Sequence, residues 1–406
     1  MTQTHPFHLG VALDGAGWHP AAWREPNSRP HELFSGSYWT ELATTAQRGL
    51  LDFVTIEDSL TVPANPYVAE DPDAVDQVRA RLDAHLVAAY VAPRTHGLGL
   101  IPTVTTTHTE PFHVSKALAT LDHTSRGRAG WQVKVSSSEQ EAAHFGRRDV
   151  PGLDKRDREA LATGALPAFV AELFDEAAEV ADVVRLLWDS WEDDAEIREV
   201  QTRRFIDRDK LHHVDFEGRF FSVRGPSITP RSPQGQPVVT ALAHRDIAYE
   251  LAARAADLVF VTPSPSNGPE VLAEVRAAEE RVGRTGEPLR VYADVLVFLD
   301  TDRESGADRL ARLDALAGRE LVTDATVFTG GVAALADLLQ SWQAQGSDGF
   351  RLRPGVAVDD LEAVTTELVP ELQRRGLFRA EYPRTSLRGL LGLPTDVPSR
   401  YATPAA

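Results

Sequence analysis

A few histidines, one aspartate and a run of threonines are the residues of this chain whose types and places could do chemistry. Thr103, Thr105 and Thr106 close the apolar run that starts at Leu98. Thr103 and Thr105 share one strand face by the two-residue period, so their hydroxyls could hydrogen-bond the polar edge of a ligand. Threonine is also common in strands and turns for its backbone preferences alone. Asp58 follows the apolar run Phe53 to Ile56 and could orient a ligand, or serve as a helix N-cap. His19, His108 and His144 are the candidates for a general acid or base near neutral pH, with His113 close by. Ordinary helix and loop histidines are the commoner outcome. Neither the spacing of His108 and His113 nor the pair His212-His213 makes a metal site, so no metal is expected. Trp18 and Trp23 lie in a Gly/Pro-rich loop after the first apolar run, which ends at Leu13. These three are candidates for a substrate pocket.

Residues so scattered need a scaffold that gathers strand ends. The sequence alternates short apolar runs with stretches of helical period. Runs at Phe7–Leu13, Phe53–Ile56 and Leu98–Val104 are separated by helical patterns at Tyr38–Arg48 and Asp71–Val91. Pro111 in a first turn opens a helix carrying Phe112, Val114, Leu118 and Leu121, and Arg126-Gly127-Arg128 then turns the chain into the strand Gly130-Trp-Gln-Val-Lys-Val. After a helix from Phe169 to Trp188 the alternation resumes at Val238, with strands at Leu258–Thr262 and Leu289–Leu299. Helices at Ile247–Ala256 and Gly268–Val282 lie between these strands, and a helix near Gly331–Gly346 precedes the run at Gly349. This β–α order predicts parallel strands and an α/β TIM (β/α)8 barrel, whose strand ends meet at one mouth. Residues 1–406 are expected to form one domain with insertions at about 139–166 and 189–237. The second, after the Trp188 helix, contains GRFFSVRGP and reads as a hairpin-containing excursion.

Composition narrows the function. A formal charge of −18 argues against a nucleic-acid partner, because phosphate neutralisation needs clustered Lys and Arg. No cysteine is present, so thiolate nucleophiles, disulfides and Cys-ligated metals are excluded. No apolar stretch reaches the ~18 residues of a membrane span, and no basic segment precedes an apolar one near Met1, so a cytoplasmic protein is expected.

Several motifs in order resemble the bacterial-luciferase-like, flavin-dependent monooxygenases, in the branch with nitrilotriacetate, dibenzothiophene-sulfone and pristinamycin monooxygenases. They are Ala22-Trp23-Arg24-Glu25-Pro26, Glu110-Pro111-Phe112, and Leu121-Asp-His-Thr-Ser-Arg-Gly-Arg-Ala-Gly-Trp131. His213 to Pro226 with Ser232-Pro-Gln-Gly-Gln-Pro-Val, and Val369 to Tyr382 with Leu387 to Pro394, extend the likeness over nearly the whole chain. Gln132 stands where the family usually has Asn.

The resemblance implies a two-component enzyme. A separate flavin reductase would supply reduced FMN, and the barrel would use it with O2 to oxygenate a small molecule, as a homodimer or higher homo-oligomer. It implies flavin contacts from Asp58, Thr103, Thr105, Gln132 and Ser136. The family's phosphate turn, Gln-Ala-Gly-x-Ser, corresponds to the segment containing Ala241, Ala243, His244 and Arg245, which has neither glycine nor serine. Arg245 or His244 could replace backbone contacts with a side-chain cation. His and Tyr of the family's HxxRY stretch correspond to Val170 and Phe174. Deazaflavin-dependent hydride transfer and flavin binding without turnover remain the alternatives.

Overall fold

The computed structural model describes residues 7–63, 75–151, 157 and 166–401. Within these, the strands in chain order are β1 (Leu9–Leu13), β2 (Phe53–Ile56), β3 (Gly99–Thr105), β4 (Gly130–Lys134), β5 (Glu196–Glu199), β6 (Arg204–Ile206), β7 (Phe216–Glu217), β8 (Ser222–Val223), β9 (Val238–Leu242), β10 (Leu258–Val261), β11 (Arg290–Leu299), β12 (Thr326–Gly330) and β13 (Gly349–Pro354). Eight of them, β1-β2-β3-β4-β9-β10-β11-β13, pair in parallel and close back on β1, forming the expected barrel.

β11 is longer than its neighbours and is shared. Its first half pairs with β10 from Arg290 to Ala293, and its second half pairs with β12 from Val295 to Leu299. β12 is thus an added ninth strand that takes over where β10 stops. Its five residues are only half-buried.

Inside the barrel, side chains two apart along a strand point to the same face. The lowest layer is apolar. Phe53, Ile101, Val238, Leu258, Phe260 and Tyr292 pack with Leu387, Leu391 and Leu393 from the C-terminal segment, which plugs the bottom. Glycines make room for the bulk: a Cβ on Gly10 would lie 2.3 Å from the Phe53 ring, and one on Gly349 2.6 Å from the Tyr292 ring. Outside, the helices cover the strands in two large apolar clusters.

Some elements differ from the sequence reading. The helical pattern at Asp71–Val91 yields a helix only at Ala84–Val91. Asp83 caps it by accepting from the Leu86 amide, residues 75–83 are irregular, and 71–74 lie outside the described residues. The polar excursion after Ser138 begins with a helix, Glu139–Phe145, capped by Ser138. Residues 152–156 and 158–165 of that excursion are not described. Two small antiparallel hairpins, β5–β6 and β7–β8, occupy the second insertion. The helix Gly306–Ala317 and β12 were not foreseen.

Candidate active site

Above the apolar plug the barrel interior turns polar and ionic. Asp294 on β11 and Arg351 on β13 are directly opposed in register. Arg351 donates from Nε to Asp294 Oδ1 at 2.8 Å and from Nη2 to Oδ2 at 2.5 Å. Arg353, two residues on and facing the same way, donates to Asp294 Oδ2 at 2.8 and 2.6 Å. It also donates to Asp324 at 2.6 Å. Asp294, Arg351 and Arg353 are almost completely buried. Burial alone would lower the Arg353 pKa, but Asp294 and Asp324 outweigh it and hold it above the usual arginine value. Asp324 is pulled the other way: burial raises its pKa, yet Arg353 brings it below the ordinary carboxylate range.

Gln132 joins this network to the strand ends. Its Oε1 accepts from Arg351 Nη1 at 2.5 Å. Its Nε2 donates to Thr103 Oγ1 at 2.9 Å and to Glu57 Oε1 at 3.1 Å. Each polar atom of the Gln132 amide is thereby used, which leaves one orientation open to it.

Over this floor lies a cavity of about 640 Å³. It opens among the loops after β1, β2, β4 and β9, with residues 321–324 and Arg353 on the far side. Trp18, Trp23, Trp39, Phe34 and Phe174 give it aromatic walls. The Arg353 guanidinium stacks 4.6 Å over the Trp18 ring, and the Trp18 indole donates to Ala12 O. Arg81 Nη2 clamps both Asp14 oxygens at 2.6 and 2.7 Å and closes one wall.

The residues singled out from sequence fall into two groups. Trp18, His19, Trp23, Gln132, Ala241 and His244 line the cavity. Leu13, Asp58, Thr103, Thr105, Ser136, Ala243, Arg245, His108 and His144 lie outside its lining. The Asp58 carboxylate accepts from the Ser59 and Ala84 amides at 2.7 and 2.8 Å, while its neighbour Glu57 faces the cavity. Burial raises the Asp58 pKa against these two amides. Thr103 is buried beneath Gln132, the Thr105 carbonyl accepts from the Thr109 hydroxyl, and Ser136 Oγ accepts from the Ser138 amide.

The histidines differ in kind. His19 is buried, with Nδ1 accepting from the Ala21 amide and Nε2 3.1 Å from Asp314. Those contacts fix the tautomer with the proton on Nε2, and burial lowers its pKa against Asp314. His108 stacks on Phe145 with ring centroids 5.1 Å apart, and burial, aided by Arg148, lowers its pKa. His144 is exposed on the short helix. His244 is 3.5 Å from Asp324 and 38% exposed. Burial lowers its pKa, with Asp324 opposing.

Glu57, Glu141, Asp294, Asp324, Arg351 and Arg353 were not foreseen. For the two arginines the signal is in the alternation of Gly349-Phe-Arg-Leu-Arg-Pro, where they share a strand face.

Comparison with known proteins agrees with this architecture. Two solved structures match it with a TM-score of 0.80 and 23% identity, each over 96% of this chain. They are a long-chain alkane monooxygenase, covered over 96% of its own length, and the EDTA monooxygenase of Chelativorans sp. BNC1, covered over 99%. In sequence, the chain is 30% identical to the N-acetyl-S-(2-succino)cysteine monooxygenase of Bacillus subtilis (strain 168), over 97% of this chain and 98% of that one. It is also 30% identical to nitrilotriacetate monooxygenase component A of Aminobacter aminovorans, again over 97% and 98%. The family model described as luciferase-like monooxygenase matches residues 16–347. A match of that extent, on a barrel whose strand ends enclose a polar-floored cavity, makes this chain an enzyme of the luciferase-like monooxygenase family.

Proposed function

We propose that the enzyme is an FMN-dependent monooxygenase of the two-component type, taking reduced FMN from a separate reductase and using O2 to oxygenate a small organic substrate. The observation that carries this reading is the cavity, with its aromatic walls and polar floor at the mouth of the barrel. At about 640 Å³ it has room for a flat ring system beside a small second molecule. The nitrilotriacetate relative is named as one component of its monooxygenase, which supports a partner that delivers the flavin. A homo-oligomer is part of the same proposal.

The residues present fit FMN. Gln132 and Arg353 form the polar floor of the cavity, and the indole and phenyl walls suit a tricyclic ring. The turn from Ala241 to Asp246 reaches the cavity through Ala241, Leu242 and His244, and it opens the helix Asp246–Ala255. The first N–H groups of a helix have no partner within it and attract a phosphate. His244, its pKa lowered by burial, gives a neutral donor at neutral pH. Arg245, exposed at the helix N-cap and with a partner of its own, gives the nearby charge.

Reduced FMN, when bound, supplies the electrons that activate O2. The chain's part is to bind, orient and exclude water. Gln132 is held in one orientation by Arg351, Glu57 and Thr103 and can present a fixed edge to the ring. The aromatic walls keep water from the reacting centre. Thr103 contributes through Gln132 as a positioning residue.

Anaerobic titration with reduced FMN, followed by tryptophan fluorescence, tests the cofactor. Saturable binding is expected, and O2 uptake should then depend on substrate when a reductase and NADH are added. Binding of a reduced deazaflavin with no binding of reduced FMN would overturn the reading in favour of hydride transfer.

A further inference from the structure

Lys134 is the cation of the cavity that no carboxylate holds. It ends β4 two residues past Gln132, so it faces the barrel interior one layer above the floor. It is part-buried and lines the cavity. Its side chain crosses the end of β3, and Nζ donates to the Asp58 carbonyl at 2.6 Å. That acceptor is uncharged and takes one of the three N–H groups of the ammonium. Among the described residues Lys134 forms no ion pair.

The cavity's other cations are provided for. Arg81 clamps Asp14, and Arg353 is held by Asp294 and Asp324. The lining carboxylates are likewise engaged: Glu57 lies 3.6 Å from Arg351, and Glu141, 3% exposed, accepts from the Leu60 amide within the wall. A chain with a formal charge of −18 has carboxylates to spare, yet none is placed on Lys134. Charges withdrawn from water are ordinarily paired, so the counter-charge here is left to solvent or to a ligand. The direction of Nζ separates it from the phosphate turn. Nζ leans from β4 towards the β2 side, whereas the turn Ala241–Asp246 follows β9, on the other flank of β4. The rim describes the rest of the ligand. Phe34, Val62 and Val322 are 52%, 39% and 42% exposed, and all three border this cavity. Val62 stands on the same loop as the Asp58 carbonyl that holds Lys134.

We infer that Lys134 is a specificity-determining residue: its ammonium takes the anionic group of the substrate, while Phe34, Val62 and Val322 take the apolar body of the same molecule. Nζ keeps the Asp58 carbonyl and offers its remaining N–H groups as charge-assisted donors. The substrate class is therefore a hydrophobic organic anion, of which a carboxylate is the simplest form. The inference deepens the function proposed above and rests on this cavity being the active site.

Benzoate, benzamide and benzylamine, alike in size and different in charge, are suitable probes. Their binding is measured by ligand-observed NMR to the full chain with reduced FMN, under anaerobic conditions and in a buffer free of carboxylate and phosphate. Benzoate should bind wild type about tenfold tighter than benzamide, with benzylamine weakest, as expected for a charge-assisted hydrogen bond. Lys134→Met keeps the length of the side chain without its charge, and its benzoate affinity should fall about tenfold to that of benzamide. Lys134→Arg, which restores the charge, should keep the preference for benzoate. Benzoate binding to wild type no tighter than benzamide would overturn the inference without any variant. So would a benzoate preference that survives in Lys134→Met, or a loss of reduced-FMN affinity in its place, which would make Lys134 a flavin contact. Reduced-FMN binding is read on the same samples. Its absence in wild type counts against the cofactor, whereas the benzoate preference and its dependence on charge at position 134 speak for or against Lys134.

Discussion

Asp294 holds two guanidiniums with one carboxylate in the middle of the barrel. Removing one partner of a buried ion pair leaves the other charge uncompensated, at a cost of about 3–5 kcal/mol. Asp294→Asn should therefore lower unfolding free energy by about 3 kcal/mol or more in a denaturant titration. A loss under ~1 kcal/mol would mean that water reaches Arg351 and Arg353. Gln132→Leu should weaken reduced-FMN binding as well as stability, since Arg351 and Glu57 would each lose a partner at the cavity floor. Unchanged reduced-FMN affinity would remove Gln132 from the cofactor site. Parity explains what sequence could and could not tell here. Phe53 and Thr55 face inward, so the two-residue period carries Glu57 to the cavity and turns Asp58 to backbone amides. The reading from sequence followed the family's aspartate to Asp58, one residue past the carboxylate that faces the cavity.

Among the elements, the turn between β9 and the helix Asp246–Ala255 is the one with the altered sequence. Arg245→Ala should weaken FMN more than riboflavin, which lacks the phosphate, because charge-assisted contacts to phosphate outweigh neutral ones. Equal loss for both, or none, would reject a phosphate role for Arg245. Most barrel strands were legible because they are short apolar runs between helical periods, and β2 lies where its run predicts. The helix before β3 was overdrawn, because Asp83 caps it well after Asp71. Segment 75–83 instead spends its polar groups on tertiary contacts, such as Arg81 with Asp14. β12 escaped notice since its half-buried Thr326-Val-Phe-Thr-Gly lacks a sustained apolar run and it pairs only along β11. The ion network was hidden for a different reason: the alternation in Gly349-Phe-Arg-Leu-Arg-Pro puts two arginines on one face without saying whether that face turns inward.

Across the whole molecule, stability should depend on pH through three histidines whose pKa is lowered in the fold, His19 foremost. Burial holds the His19 ring below the usual histidine value, with Asp314 and Glu25 opposing and Arg319 adding to the effect. His85 and His244 are shifted down by burial too. The unfolded rings take protons near pH ~6.5 while the folded rings resist them. Their stabilisation is thus complete above that pH and is lost as pH falls through it towards the folded values. The melting temperature should drop between about pH 7.5 and pH 5.5, less steeply in His19→Asn, and equal slopes would exclude His19 as a contributor. The barrel's lower end adds a second test. Leu387→Ala removes a buried side chain from the plug, and it should cost about 2–5 kcal/mol while leaving reduced-FMN affinity unchanged.

That plug also bears on the order of synthesis. β1 is made first, yet its partner β13 begins at Gly349, and the leucines that fill the barrel floor come after it. While the earlier strands emerge, Phe53, Ile101, Phe260 and Tyr292 have no Leu387 or Leu391 to cover them. Contacts between such distant parts of a chain form late, and apolar surface that waits for them is open to aggregation. A nascent chain stopped before residue 349 should therefore behave as a client of chaperones rather than as a smaller folded barrel, since it lacks both the strand that shuts the ring and the residues that stopper it.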